Sequence, residues 1–304
     1  MNIFVTGGTG FLGYNTVLRL LADGHRVYAL VRKRDNVLSR VQNTNLTLVY
    51  GSLEHLAYVE LSDIDACVHF AWMGVNRQGV DSPNVQKQNV VNSLNLLEFL
   101  KLHHCRLLID AGSRQEYTPI EGIITESSPC NPITEYGKRK LEVYHAILSK
   151  INDEMKYVHL RIFSVYGFKD HPWSLISTCV EGMLANKPIS LGTCCHFWSF
   201  LYIDDFTEVV STVVSHTNKI QSNEIYNVAS GFIQPLRYFV NTIKVVTESD
   251  SELRFGTFKE NKESIFSLIP DVSKLNTDFG WYERVSFEEG IKQLIQGEVR
   301  DVSN

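Results

Sequence analysis

The sequence predicts an α/β fold, a Rossmann-type, doubly wound parallel sheet. Three observations predict it. The chain opens with MNIFVTGGTGFLG, a short apolar stretch (Ile3, Phe4, Val5) followed by a glycine-rich turn. The turn runs into Phe11–Leu21, where Phe11, Leu12, Val17, Leu18, Leu20 and Leu21 recur at helical spacing. Strand and helix patterns then alternate as far as Gly167, as a parallel sheet covered on both faces requires.

The opening turn carries the first functional expectation. Strand, glycine turn and helix, in that order, form the context of a dinucleotide site. Gly7 can take backbone angles that a side chain forbids, Gly10 leaves the main chain bare for a pyrophosphate, and Gly13 lets helix and strand pack closely. The free N–H groups and positive end of the helix favour phosphate charge. Thr6, Gly7, Gly10, Phe11, Leu12 and Gly13 are therefore the candidate cofactor contacts. Glycines also punctuate ordinary βα turns, and the flanking strand and helix are what favour the site.

The remaining elements follow in order. Arg26–Val31 (RVYALV) is the second strand, and Arg32, Lys33 and Arg34 come directly after it. An acidic residue there would bond the ribose hydroxyls and repel a 2′-phosphate; cations do the opposite. NADP(H) is the expected cofactor, with NAD(H) the alternative, and Arg32 and Lys33 as contacts; a solvated basic turn reads the same way. Leu46–Tyr50 and Ala66–Ala71 are the third and fourth strands. In Asn89–Leu100 the residues Val90, Leu94, Leu97 and Leu100 make an apolar face. Arg106–Asp110 is the fifth strand, a helix runs from about Thr134, and Tyr157–Phe163 is the sixth.

Bulk properties narrow the partners. The 304 residues give ample core for one large or two small domains, and a net charge of −5 offers no general attraction to nucleic acid or an anionic membrane. No run is long and apolar enough to span a bilayer, and the first strand begins at residue 2, so no signal peptide is expected. The six cysteines show no CxxC spacing, which points to reduced thiols, a cytoplasmic setting and no metal site.

Several stretches resemble one family: the TGxxGxxG turn, NVVNSLNLLEFL at 89–100, YGKRK at 136–140, SVYG at 164–167, LYIDD at 201–205 and YNVA at 226–229. Together they resemble the extended short-chain dehydrogenase/reductases, the NAD-dependent epimerase/dehydratase family of nucleotide-sugar enzymes. The resemblance implies that residues 1–167 and about 200–230 bind the dinucleotide, and that about 168–199 and 231–304 form a smaller, discontinuous C-terminal substrate domain that binds a sugar nucleotide. It implies that His69-Phe70-Ala71-Trp72 passes beneath the nicotinamide ribose, with Phe70, Ala71 and Trp72 as contacts and His69 structural. It also implies a homodimer built on the helices at 89–100 and from 136, although a face buried within one subunit explains the first pattern equally.

Tyr136 and Lys140 stand at i and i+4, on one helix face. A phenol near pKa 10 exchanges protons poorly at neutral pH, and a neighbouring ammonium is expected to lower it. With 13 tyrosines in the chain, an isolated YxxxK decides little. Its place after the fifth strand and downstream of a serine decides more. Ser113, four residues before Tyr117, matches the family's active-site Ser/Thr, so Ser113, Tyr136 and Lys140 are the expected catalytic set, Ser113 sharing the substrate oxygen with Tyr136. Arg114, Gln115, Ser164 and Trp198 are the expected substrate contacts, with Trp173 or Trp198 stacking on a base or packing in the core. Lys169, Arg254, Lys259 and Lys262 are diphosphate candidates without sharp spacing.

Departures from the family pattern narrow the reaction. Family dehydratases follow the active-site Thr with Asp and Glu; here Arg114 and Gln115 stand instead, and Glu116 comes one place late. The expected activity is NADPH-dependent reduction of the C4 ketone of a nucleotide-linked 4-keto-6-deoxyhexose, giving a deoxysugar for surface polysaccharide. A 4-epimerase retaining NAD is the alternative, and a non-catalytic dinucleotide-binding regulator a third.

Overall fold

The computed structural model describes the chain except residues 57–58, 60, 62, 77–78, 120, 259–266, 268 and 303–304, with backbone alone at 298–302. Seven parallel strands form one sheet: β1 (Asn2–Thr6), β2 (Arg26–Val31), β3 (Leu46–Tyr50), β4 (Ala66–His69), β5 (Leu107–Ser113), β6 (Lys156–Ile162) and β7 (Asn223–Val228). Their order across the sheet is β7-β6-β5-β4-β1-β2-β3. The chain thus winds one way from β1 to β3 and returns to the other side of β1 at β4. The crevice at that reversal is where open α/β sheets bind ligands.

Strand alternation builds the two faces. Phe4, Tyr28, Leu30, Cys67, Leu108 and Tyr157 join one apolar cluster with Val90, Leu97 and Leu100 of α2 (Pro83–Leu102, packed beside α3, Glu135–Lys150). Ile3, Val5, Val27, Ala29, Val68 and Val158 join the other, with α1 (Phe11–Ala22) and a helix at Ile203–Ser215 packed on it. The apolar face expected at 89–100 packs within the chain: Val90, Leu97 and Leu100 are buried against the sheet and Leu94 is half-buried beside them. That pattern needs no second subunit.

Two strand ends differ from expectation by more than one residue. β4 stops at His69 because the next amide but one, Ala71 N, donates to the Thr6 hydroxyl (3.3 Å) and leaves the ladder. β5 continues past Asp110 to Ser113 because Ala111, Gly112 and Ser113 pair with Leu160, Arg161 and Ile162 of β6. That extension carries Ser113 to the C-terminal edge of the sheet. Beyond β6, helices at Leu175–Leu184, Leu236–Val246 and Phe287–Val302 gather beside the sheet and share the apolar cluster of α1.

Candidate active site

The glycine turn is shaped by close approach. Gly7 has φ +72°, and a Cβ there would lie 2.6 Å from Ala71 N; a Cβ on Gly13 would lie 2.2 Å from the Gly7 carbonyl oxygen. Gly10 N donates to that same oxygen (3.0 Å), and no side chain caps the start of α1. A cavity of about 380 Å³ lies over the turn, floored by Gly7, Gly10, Phe11, Leu12 and Gly13 and walled by Phe70, Trp72, Ser113, Tyr136 and Lys140. A second, of about 240 Å³, shares Gly7, Gly10, Phe70 and Trp72 and runs on to Thr9, Arg32, Ser52, Glu54 and Ala71. An elongated, bare-backboned trough ending in uncapped helical N–H groups fits a dinucleotide.

One expected cofactor contact has another partner. The Thr6 side chain is buried and bonds His69 Nδ1 (2.6 Å), tying β1 to β4 instead of lining the trough. Lys33 is exposed, Arg32 lines the second cavity, and Arg34 packs over the Tyr50 ring. His69 is structural as expected. It is buried between Thr6 and Ser93 Oγ (2.9 Å), and burial pulls its imidazole down to about 4, so it is neutral.

Thr134 caps α3 by accepting from Gly137 N (3.0 Å), which sets Tyr136 and Lys140 in the first turns of the helix, facing the trough. Tyr136 and Ser113 line the same wall of the trough, and the Ser113 side chain acts to lower the phenol pKa. Lys140, 3% exposed, donates to the Ala111 carbonyl (2.5 Å) and lies 3.7 Å from the centre of the Trp72 indole, against 5.8 Å from the Tyr136 ring. Trp72 is fixed edge-on to Tyr136 and by a bond from its Nε1 to Gln86 (2.8 Å). The expected lowering of the phenol is not found. Burial, reinforced by the Glu116 and Asp110 charges, pushes Tyr136 up to about 12, while the ammonium rests on Trp72, brought down to about 8 by its own burial. The lysine–tryptophan contact is the feature that helical spacing alone misses.

A third cavity, of about 700 Å³, adjoins the trough; Arg114, Phe163, Val165 and Asp170 line both. The Arg114 guanidinium lies over the Trp198 indole at 4.6 Å, and Trp198 Nε1 donates to Ser164 Oγ (2.9 Å), so these three expected contacts stand together on its wall. Gln115 faces the trough, but its amide oxygen accepts from the Thr134 hydroxyl (2.8 Å). Trp173 also lines the large cavity, stacked on His171 at 4.5 Å. Asp170 and His171 were not expected; they follow SVYG without any distinctive spacing. Of the diphosphate candidates, Lys169 packs on Phe168 and Tyr14, Arg254 pairs with Glu252, and Lys259 and Lys262 lie outside the described residues. Glu116 is wholly buried and turned from both cavities, accepting from Ser113 N (2.6 Å).

Fold and trough together define a dinucleotide-binding α/β enzyme scaffold of the extended short-chain dehydrogenase/reductase type. The chain belongs to the NAD dependent epimerase/dehydratase family, whose sequence model matches residues 3–229. Among characterised relatives it is similar to the CDP-abequose synthase of Yersinia pseudotuberculosis, 26% identical over 91% of this chain and 94% of that one. It is also similar to UDP-glucose 4-epimerase 4 of Oryza sativa subsp. japonica, 25% identical over 94% of this chain and 87% of that one. Among solved structures, the dTDP-glucose 4,6-dehydratase DesIV of Streptomyces venezuelae, with NAD bound, superposes with a TM-score of 0.86. That match has 23% identity and covers 100% of this chain and 98% of the other.

Proposed function

We propose that the protein reduces the C4 ketone of a nucleotide-linked 4-keto-6-deoxyhexose with NADPH. The observation that carries this reading is that Ser113 and Tyr136 line the dinucleotide trough together, beside the Arg114 that it shares with the large cavity, with the phenol held in the acid form. When bound, the dinucleotide supplies the hydride. Tyr136 Oη gives its proton to the C4 oxygen, and the Ser113 hydroxyl bonds that oxygen as negative charge develops. Lys140, anchored on Ala111 and Trp72, would hold the nicotinamide ribose. Arg32, at the far end of the trough, supports a 2′-phosphate, hence NADPH. On this reading residues 1–167 and about 200–230 hold the dinucleotide, while about 168–199 and 231–304 hold the sugar nucleotide. The setting would be cytoplasmic and the assembly a homodimer through the outer sides of α2 and α3.

The buried Glu116 supports reduction over dehydration: its carboxylate is already taken by Ser113 N, His159 and Arg161. A 4-epimerase with retained NAD is the second reading, favoured by the similarity to the rice 4-epimerase. Oxidation of NADPH is to be followed across a panel of CDP-, dTDP-, GDP- and UDP-linked 4-keto-6-deoxyhexoses, with NADH for comparison. Turnover with free NADPH is expected. Tightly bound NAD, with interconversion of two nucleotide sugars and no added cofactor, would instead establish the epimerase.

A further inference from the structure

Beneath Ser113 lies a cluster of buried ionisable groups that the proton transfer does not use. Glu116 Oε1 accepts from Ser113 N (2.6 Å), and its Oε2 lies 2.9 Å from His159 Nε2 and 3.0 Å from Arg161 Nε. The other imidazole nitrogen, Nδ1, lies 3.1 Å from Asp110 Oδ2, with the Tyr157 hydroxyl beside both. All five side chains are buried. The chain is fitted around them: a Cβ on Gly112 would fall 2.3 Å from His159 Nε2 and 2.7 Å from Glu116 Oε1.

The geometry sets the protonation. A neutral imidazole carries one N–H, so its other nitrogen would turn a lone pair toward a carboxylate. With a carboxylate on each nitrogen, both must donate, and the ring is an imidazolium; the two carboxylates raise His159 to about 9 against the opposing effect of burial. Asp110, Glu116, His159 and Arg161 then sum to zero charge.

We propose that His159, as an imidazolium, is a positioning residue for the Ser113–Tyr136 pair: it locks the Glu116 carboxylate that holds the Ser113 backbone, and it cancels buried negative charge that would otherwise act on Lys140 and Tyr136. The inference rests on the reading of Tyr136 as proton donor. The groups facing His159 are Asp110 from β5, Glu116 from the turn after it, and Tyr144 from α3, whose ring centre lies 4.9 Å away; Tyr157 and Arg161 flank it on β6. Beyond this ring, Lys140 and His69 act on Asp110, while Tyr117, Cys130 and Glu126 surround Arg161.

Two measurements test it. Nitrogen NMR of histidine-labelled protein at pH 8, with His159→Gln for assignment, should show one imidazolium resonance that the variant lacks; a neutral ring at that position would overturn the proposal. This reading needs no substrate and is separable from the proposed reduction. The second is the alkaline limb of kcat against pH. Loss of the imidazolium in His159→Gln leaves the cluster with one net negative charge, Arg161 still balancing one carboxylate, so the limb should move up by about one pH unit, with kcat reduced about tenfold and the KM for NADPH little changed. Glu116→Gln should move the limb down, and the double variant should return it toward its original position. A limb that stays in place in every folded variant would show the cluster to be structural only and would refute the proposal. If His159→Gln does not fold, Glu116→Gln and the wild-type NMR spectrum carry the test.

Discussion

Gly13→Ala probes the dinucleotide trough without touching any group that reacts. The added Cβ would stand 2.2 Å from the Gly7 carbonyl oxygen, 2.8 Å from its carbon and 2.9 Å from Gly8 Cα, all backbone atoms that cannot rotate away. Ordinary carbon contact begins at about 3.5 Å, so α1 and the turn must separate by roughly 1 Å. Overpacking of that size costs about 1–3 kcal/mol. Much of it falls on the turn itself, because Gly7 and Gly10 floor both cavities of the trough. Dinucleotide affinity should therefore fall at least tenfold, about 1.4 kcal/mol. The melting temperature should fall as well, by about 2–4 °C per kcal/mol. Fluorescence titration with NADPH, well below the melting temperature of the variant, measures the first effect. Wild-type affinity in a folded Gly13→Ala protein would show that the trough is not where the dinucleotide binds.

Other expectations follow from single contacts. Arg32→Ser should cut the preference for NADPH over NADH, measured as the ratio of kcat/KM values, by about tenfold, the order of one lost charge-assisted bond; an unchanged ratio would remove Arg32 from the cofactor site. His69, pulled down to about 4 when folded, takes up a proton near pH 6.5 once unfolded. Above pH 6.5 it is neutral in both states and adds no pH dependence. As pH falls from 6.5 toward 4, the unfolded chain binds the extra proton and stability drops by up to about 3 kcal/mol. Urea unfolding at pH 7 and pH 5 should show that slope, and His69→Gln should remove the part due to this group. Trp72→Leu, which takes away the aromatic face under Lys140, should lower kcat severalfold through loss of a cation–π contact of about 1–2 kcal/mol; kcat equal to wild type would show that the Lys140 position does not depend on it.

What could be read from the sequence was local. The glycine turn and the Tyr136–Lys140 pair are set by spacing within one turn or one helix, and both fall where spacing puts them. The catalytic candidates meet because β5 and α3 bring them to one sheet edge. Long-range partners were not legible. The place of Lys140 depends on Trp72, which arrives from the end of β4. Thr6 lies beside the trough glycines in sequence, yet register with β4 turns its hydroxyl to His69. The alternating Tyr157, His159 and Arg161 of β6 read as ordinary strand residues, and only pairing with β5 sets them against Asp110 and Glu116. The apolar face at 89–100 was open to two readings, burial within the chain or a dimer contact, and the sheet of the same chain uses it.

The most direct measurement is single-turnover oxidation of NADPH by the wild-type protein and Tyr136→Phe, with a nucleotide 4-keto-6-deoxyhexose that the wild type reduces. Loss of the phenolic proton should slow the chemical step by about 10²–10⁴-fold while the affinity for NADPH stays within about twofold. A Tyr136→Phe protein that turns over at the wild-type rate would contradict the assignment of Tyr136 as the proton donor, and with it the enzymatic reading of the cleft.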